Sequence, residues 1–154
     1  MAGLALLGCG NSAPTTISAG GHRSIEGAVA AFHRAVEAGD FRLLEAQFPS
    51  LAMLEQHLSC GAERRAAARQ DAERLLALKD ARAVRDTSAE LVSLPEQDIT
   101  ELPVGPFEGT CQVRVPMALA KVRARWSIDG TPRETRLHLV RFAGVWYAFD
   151  VPGL

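Results

Sequence analysis

Apolar residues recur at helical spacing from Ile25 to Leu58 and at two-residue spacing after Cys111. That change of period divides the chain into a helical first half and a stranded second half. Ser24 reads as an N-cap, because its hydroxyl can accept from a free backbone N–H of the first turn. Ile25, Ala28, Val29, Phe32 and Val36 then form one stripe, and Gly39 stands where a helix ends. Asp40 caps a second start, with Phe41, Leu44 and Phe48 on one face until Pro49. Ser50 opens a short third helix carrying Leu51, Leu54 and Leu58. Gly61 separates it from a fourth, expected over 62–82. That helix is polar or small on most sides in its first half, which predicts a surface position, and gains Leu75, Leu76 and Leu78 towards its end.

The stranded half is less regular at first. Ala89, Leu91 and Val92 predict a strand over 88–94 closed by Pro95. Pro103, Gly105 and Pro106 predict a loop over most of 96–109, with a short strand at 99–102. Cys111, Val113 and Val115 alternate with Gln112 and Arg114, and Pro116 predicts a bulge or break. Val122, Ala124, Trp126 and Ile128 then share one face of a strand, and Lys121, Arg123, Arg125 and Ser127 share the other. Asp129 and Gly130 turn the chain, in a loop that Pro132 lengthens. On the return strand Thr135, Leu137 and Leu139 alternate with Glu134, Arg136 and His138. Ala143 and Gly144 turn it again into a last apolar strand over 145–151. Helices followed by an antiparallel meander give an α+β fold, with the N-terminal helices packed on one face of a curved antiparallel sheet.

Composition narrows the function classes. The chain has 154 residues, 47% hydrophobic and 23% charged, which suits one globular domain. A formal net charge of -1 argues against a globally basic nucleic-acid binder, since sequence-independent affinity for phosphates needs excess positive charge. No apolar run reaches the roughly 18 residues of a membrane-spanning helix.

The amino terminus changes the picture. Met1 to Gly8 is apolar and uncharged, and Leu6-Leu7-Gly8-Cys9 resembles the bacterial lipobox. That resemblance implies that Cys9 carries a diacylglycerol, that residues 1–8 are the remnant of a signal peptide, and that the mature chain starts at Cys9. Only eight residues precede the cysteine and none is Lys or Arg, so a basic n-region is expected upstream. The stretch 10–21 is small and polar, as a flexible tether is, which makes 9–23 an anchor and linker ahead of a domain over 24–154. Two or more acyl chains hold a protein stably on a bilayer where one does not. The implied address is the cell envelope, facing the periplasm or exterior. Export would place Cys60 and Cys111 in an oxidising space, where a disulfide and two buried thiols are the alternatives. His57 and Cys60 have the spacing of a metal-ligand pair, but no second pair completes a tetrahedral site, so no metal is expected.

Two further stretches point to a family. Residues 28–40, AVAAFHRAVEAGD, resemble the opening helix of NTF2-like domains, and residues 141–147, RFAGVWY, resemble their closing hairpin. The resemblance covers about residues 24–151 and implies a cone-shaped fold with a pocket between helices and sheet. Phe32, Trp126 and Tyr147 are the candidate pocket residues. It implies no single activity, because one fold serves many sites.

Catalytic chemistry is not evident. The inward strand positions Val122, Ala124, Trp126, Ile128, Leu137 and Leu139 are apolar. His138 alternates with leucines and should face away from the core; Tyr147 and Asp150 on the last strand are candidate pocket members, on opposite faces by parity. No nucleophile motif, phosphate loop or carboxylate pair stands out, and no cofactor is expected. Charge is uneven, with six acidic residues and one basic over 83–109, then seven basic and two acidic over 110–142. A solvated, cross-paired strand face explains this. The sharper alternative is that Arg123, Arg125 and Arg136 form a face for an anionic partner, such as phospholipid head groups or an acidic protein. The expected role is thus an anchored lipoprotein that binds a small apolar ligand or a partner protein without catalysis. A small isomerase- or hydratase-type enzyme and a cytosolic assembly module are the alternatives.

Overall fold

The computed structural model describes residues 21–81, 89–128 and 131–152. It is α+β, with four helices preceding a four-stranded antiparallel sheet among the described residues. The helices are α1 (Ile25–Ala38), α2 (Phe41–Glu45), α3 (Leu51–His57) and α4 (Gly61–Ala81). Capping chemistry sets their boundaries: Ser24 Oγ accepts from Gly27 N–H, Asp40 Oδ1 from Arg42 and Leu43, and Ser50 Oγ from Met53. Gly39 ends α1 at φ 66°, a left-handed conformation that costs glycine nothing.

The strands are β1 (Ala89–Leu102), β2 (Gly105–Pro106), β3 (Gln112–Val113), β4 (Met117–Ile128), β5 (Thr131–Phe142) and β6 (Val145–Asp150). The main sheet runs β1-β4-β5-β6, and β2-β3 forms a separate small hairpin inserted between β1 and β4. The meander from 117 onward, where alternation is cleanest, forms as expected except that Pro132 lengthens no loop: β5 starts at Thr131, and Pro132 stands opposite Ser127 in the ladder. The segment before it differs. The strand expected to stop at Pro95 runs on to Leu102, and much of the expected loop over 96–109 is strand. Register shifts between Leu91 and Ser93 and between Ser93 and Glu96 bracket that stretch of an edge strand, where a missing N–H breaks no inner ladder. The strand expected from Cys111 to Val115 shrinks to two residues, because Leu58 bridges Val113 and Pro116 separates it from β4.

Helix placement also departs from the one-sided expectation. Ile25, Ala28, Val29, Phe32, Leu44, Phe48, Ala68 and Ala72 pack on Ala118, Ala120, Val122, Ala124, Leu137, Leu139, Trp146 and Ala148. We call this the helix face. Leu54 of α3 and Leu58, the extended residue that caps it, pack instead with Met117, Val140, Phe142, Tyr147 and Phe149, the alternate residues of the same strands. Helix α3 therefore lies across the outer face of the sheet. Residues between α2 and α3 pass over the edge of β6, where Gln47 O accepts from Ala148 N–H at 2.9 Å. His22 pairs with Trp146 on the same edge through two backbone bonds, at 3.0 and 2.7 Å. These contacts shield an edge strand that would otherwise offer unpaired groups to another chain. The expected surface position of early α4 is modified too: Ala68 and Ala72 are buried, and their small side chains let this polar helix lie close against the core.

Candidate functional site

The outer face of the sheet has two halves. One is sealed by α3 and the β2-β3 hairpin. Cys60 and Cys111 join these two pieces in a disulfide, with Cα atoms 5.3 Å apart and a sequence separation of 51. Around it, Ser59 N–H donates to Gln112 O at 2.9 Å, Gln112 N–H to Ser59 Oγ at 2.8 Å, and Arg114 N–H to His57 O at 2.7 Å. An Arg64–Glu108 ion pair adds a link, and the Arg64 guanidinium lies over the rings of Phe107 and Phe149. His57 is buried; its Nδ1–H donates to Met53 O at 2.8 Å, and its ring stacks on Phe142 at 4.1 Å. It is thus a packed core residue, and Cys60 is committed to sulfur. Neither is available to the metal pairing their spacing resembles.

The other half is open. Residues 121, 123 and 125 of β4 and 134, 136 and 138 of β5 continue the same face beyond Leu119 and Val140, but they are polar. Strand register sets them in rows: Asp98–Lys121–His138–Asp150, then Glu96–Arg123–Arg136, then Arg125–Glu134. A groove of about 640 Å³ is lined by Gln97, Asp98, Lys121, Val122, Arg123, Arg136, His138 and Pro152. That volume falls within the range of small-molecule sites.

Two carboxylates hold part of this face. Glu134 takes Arg123 Nε at 3.3 Å and Arg125 Nε at 4.0 Å. Asp150 Oδ1 lies 2.8 Å from His138 Nδ1. Parity along β6 puts Asp150 opposite Tyr147, yet it pairs with His138 on the outer face. A register shift between His138 and Leu139 accounts for this, since the extra residue turns the strand end over. Behind the same end, burial pushes the Asp71 carboxyl of α4 up; nearby Asp150 adds to the rise, while the Val151 N–H and Arg74 oppose it.

The sequence-derived site residues separate accordingly. Arg123, Arg125 and Arg136 come together on the open half. Phe32 and Tyr147 do not meet: Phe32 is buried on the helix face, edge-on to Phe48 at 5.9 Å, and Tyr147 is buried on the outer face beside Phe142. Trp126 belongs to β4, but its side chain lies outside the described residues, as does Cys9 entirely. The sequence-derived site omits Lys121, Asp98 and His138, and takes Asp150 only as a possible pocket member beside Tyr147. Lys121 and His138 were readable from alternation; the bulge that delivers Asp150 has no sequence mark. His33, whose direction was open, is half-buried on α1, 3.7 Å from Glu37, and burial lowers its pKa. No helix of the described residues is long and apolar enough to cross a membrane. No protein-family model, curated protein or solved structure matches the chain.

Proposed function

We propose that the chain is a lipid-anchored, extracytoplasmic binding domain whose ligand is a small anion held in the groove on the open half of the sheet. The observation that carries this is the placement of Lys121, Arg123 and Arg136 around one concavity, while the helix-face positions Phe32, Val122, Ala124, Leu137 and Leu139 are packed together in the core. A small apolar ligand and a partner protein were the sequence expectations. The packed helix face favours the first less, and the carboxylates around the cations favour the second less. Three features support the rest: the lipobox-like Leu6-Leu7-Gly8-Cys9, the polar stretch behind it, and the Cys60–Cys111 bond, which suits an oxidising compartment. The order of helices, meander and closing hairpin keeps an NTF2-like ancestry as the reading of the fold, with α3 displaced to the outer face.

Mass spectrometry of the native amino terminus tests the anchor; a diacylglyceryl group on Cys9 is the expected result. Amide-shift mapping of the full chain with citrate and inorganic phosphate at low ionic strength tests the binding. Changes should concentrate at 121–125 and 134–138. Changes confined to the helices, or none, overturn the reading.

The His138–Asp150 pair supports a second reading, a small enzyme. A carboxylate on Nδ1 orients the imidazole and leaves Nε2 for proton transfer. Under the binding reading, Asp150→Asn does not weaken anion binding, since it removes a nearby negative charge, and no bound anion is chemically altered. Turnover of a bound anion that Asp150→Asn abolishes is what the enzyme reading requires.

A further inference from the structure

The arrangement of charge on the open half says more about the ligand than its sign. Lys121 and His138 are ladder partners, and Arg123 and Arg136 are the next partners on the same face. Opposed side chains start about 5 Å apart across the ladder. Successive same-face residues start about 6.7 Å apart along a strand. The four residues therefore form a compact square whose long side chains can reach one common point. Arg123 directly opposite Arg136 is a like-charge pair, which costs stability in a plain sheet. Glu134 relieves it at Arg123, holding that guanidinium by Nε. Among the described residues, no carboxylate pairs with Lys121 or Arg136.

Carboxylates surround the square. In the β1 register Glu96 stands opposite Arg123 and Asp98 opposite Lys121; Asp150 flanks His138 on the β6 side, and Glu134 lies one row beyond. An extended polyanion laid over this face would bring its charge onto all of them. The same ring opposes an anionic bilayer, whose negative surface potential repels carboxylates as it attracts lysines. A compact anion over Lys121 and Arg136, which no carboxylate holds among the described residues, stays inside that ring.

Resting on the groove as a small-anion site, we infer that its ligand is a soluble phosphate monoester, with the phosphate between Lys121, Arg123, Arg136 and His138. A phosphate group brings three acceptor oxygens and a charge of about -1.5 to -2. The Arg136 guanidinium fork and the Lys121 ammonium offer donors to all three. A carboxylate brings two oxygens in one plane and a single charge, and leaves part of the cluster unengaged.

Calorimetric titration of the full chain at low ionic strength tests this, with inorganic phosphate, succinate and anionic vesicles of phosphatidylglycerol as separate probes. Saturable phosphate binding is expected, stronger than succinate binding and about tenfold weaker in Arg136→Ala, the loss of one charge-assisted contact. Arg136→Lys, which keeps the charge and removes the fork, should fall between. Arg34→Ala, on the exposed side of α1, should match the unaltered chain. If phosphate and succinate bind equally, the phosphate assignment fails while the anion-binding reading stands. If neither binds, both fail. Retention on vesicles without phosphate binding overturns the soluble ligand in favour of a bilayer.

Discussion

The two halves of the outer sheet face are built from the same strands and the same alternation, yet they are finished in opposite ways. Around Phe142, Val140 and Tyr147 the face is apolar, covered by α3 and β2-β3, and fastened by a disulfide. Two residues further along β4 and β5 it becomes Lys121, Arg123, Arg136 and His138, with no cover among the described residues. Burial accounts for the first half: the covering elements exist because apolar side chains need them. The second half has no such explanation. Cross-strand pairing accounts for Arg125, Glu134 and part of Arg123, but not for opposing Arg136 to Arg123 or for a Lys121 that no carboxylate pairs among the described residues. The contrast separates a surface that holds the fold from one that is available for binding.

The largest expected effect lies in the covered half. Phe142 is 1% exposed and stacks on His57, so Phe142→Ala should cost about 3–5 kcal/mol in denaturant unfolding. A loss under about 1 kcal/mol would mean that the cap does not depend on this core. Next comes the disulfide. Cys60→Ala with Cys111→Ala should cost about 2–4 kcal/mol in the same measurement, because the closed loop is long. The hydrogen bonds among Ser59, Gln112 and Arg114 should keep the cap seated, so backbone signals of α3 should persist.

The helix face supplies a pH test of intermediate size. Burial lowers the His33 pKa below its ordinary 6.5, so the unfolded chain takes up the proton first as pH falls. Stability should therefore drop as pH falls through 6.5 towards the folded value, and His33→Gln should flatten that slope. Asp71 works in the other sense. Its raised pKa means stability is lost as pH rises through the ordinary carboxyl range, and Asp71→Asn should be the more stable protein at neutral pH. Unfolding free energies from pH 4 to 8 check both. The smallest effect belongs to the open half: Arg125→Ala, 60% exposed at its side chain and 4.0 Å from Glu134, should change stability by under about 0.5 kcal/mol.

Legibility followed the same division. Helix starts and stops were readable because Ser24, Asp40, Ser50 and Gly39 act within one turn of themselves. Alternation on β4 and β5 was readable because both faces obey a period of two. The route of α3 to the outer face was not, because Leu54 and Leu58 read as a normal helical stripe whichever face they cover. Pro95 marked a strand end only on the assumption of an inner strand; at an edge it is tolerated. Of the candidate site, the arginines were visible as a charge block, whereas Asp98 joins it through the pairing of β1 with β4 and Asp150 through the register shift between β5 and β6, both of which depend on neighbouring strands.

The central claim is that the open half is a binding site and not a part of the fold. Thermal unfolding of the full chain and of Lys121→Ala with Arg136→Ala, each with and without inorganic phosphate, tests it most directly. A ligand that binds only the native state raises its stability in proportion to the logarithm of saturation. The expected result is a midpoint without phosphate that is no lower in the variant, because the like-charge pair of Arg123 and Arg136 is relieved, and a rise with phosphate in the unaltered chain alone. A variant that melts earlier without phosphate, or rises as much with it, would contradict the account.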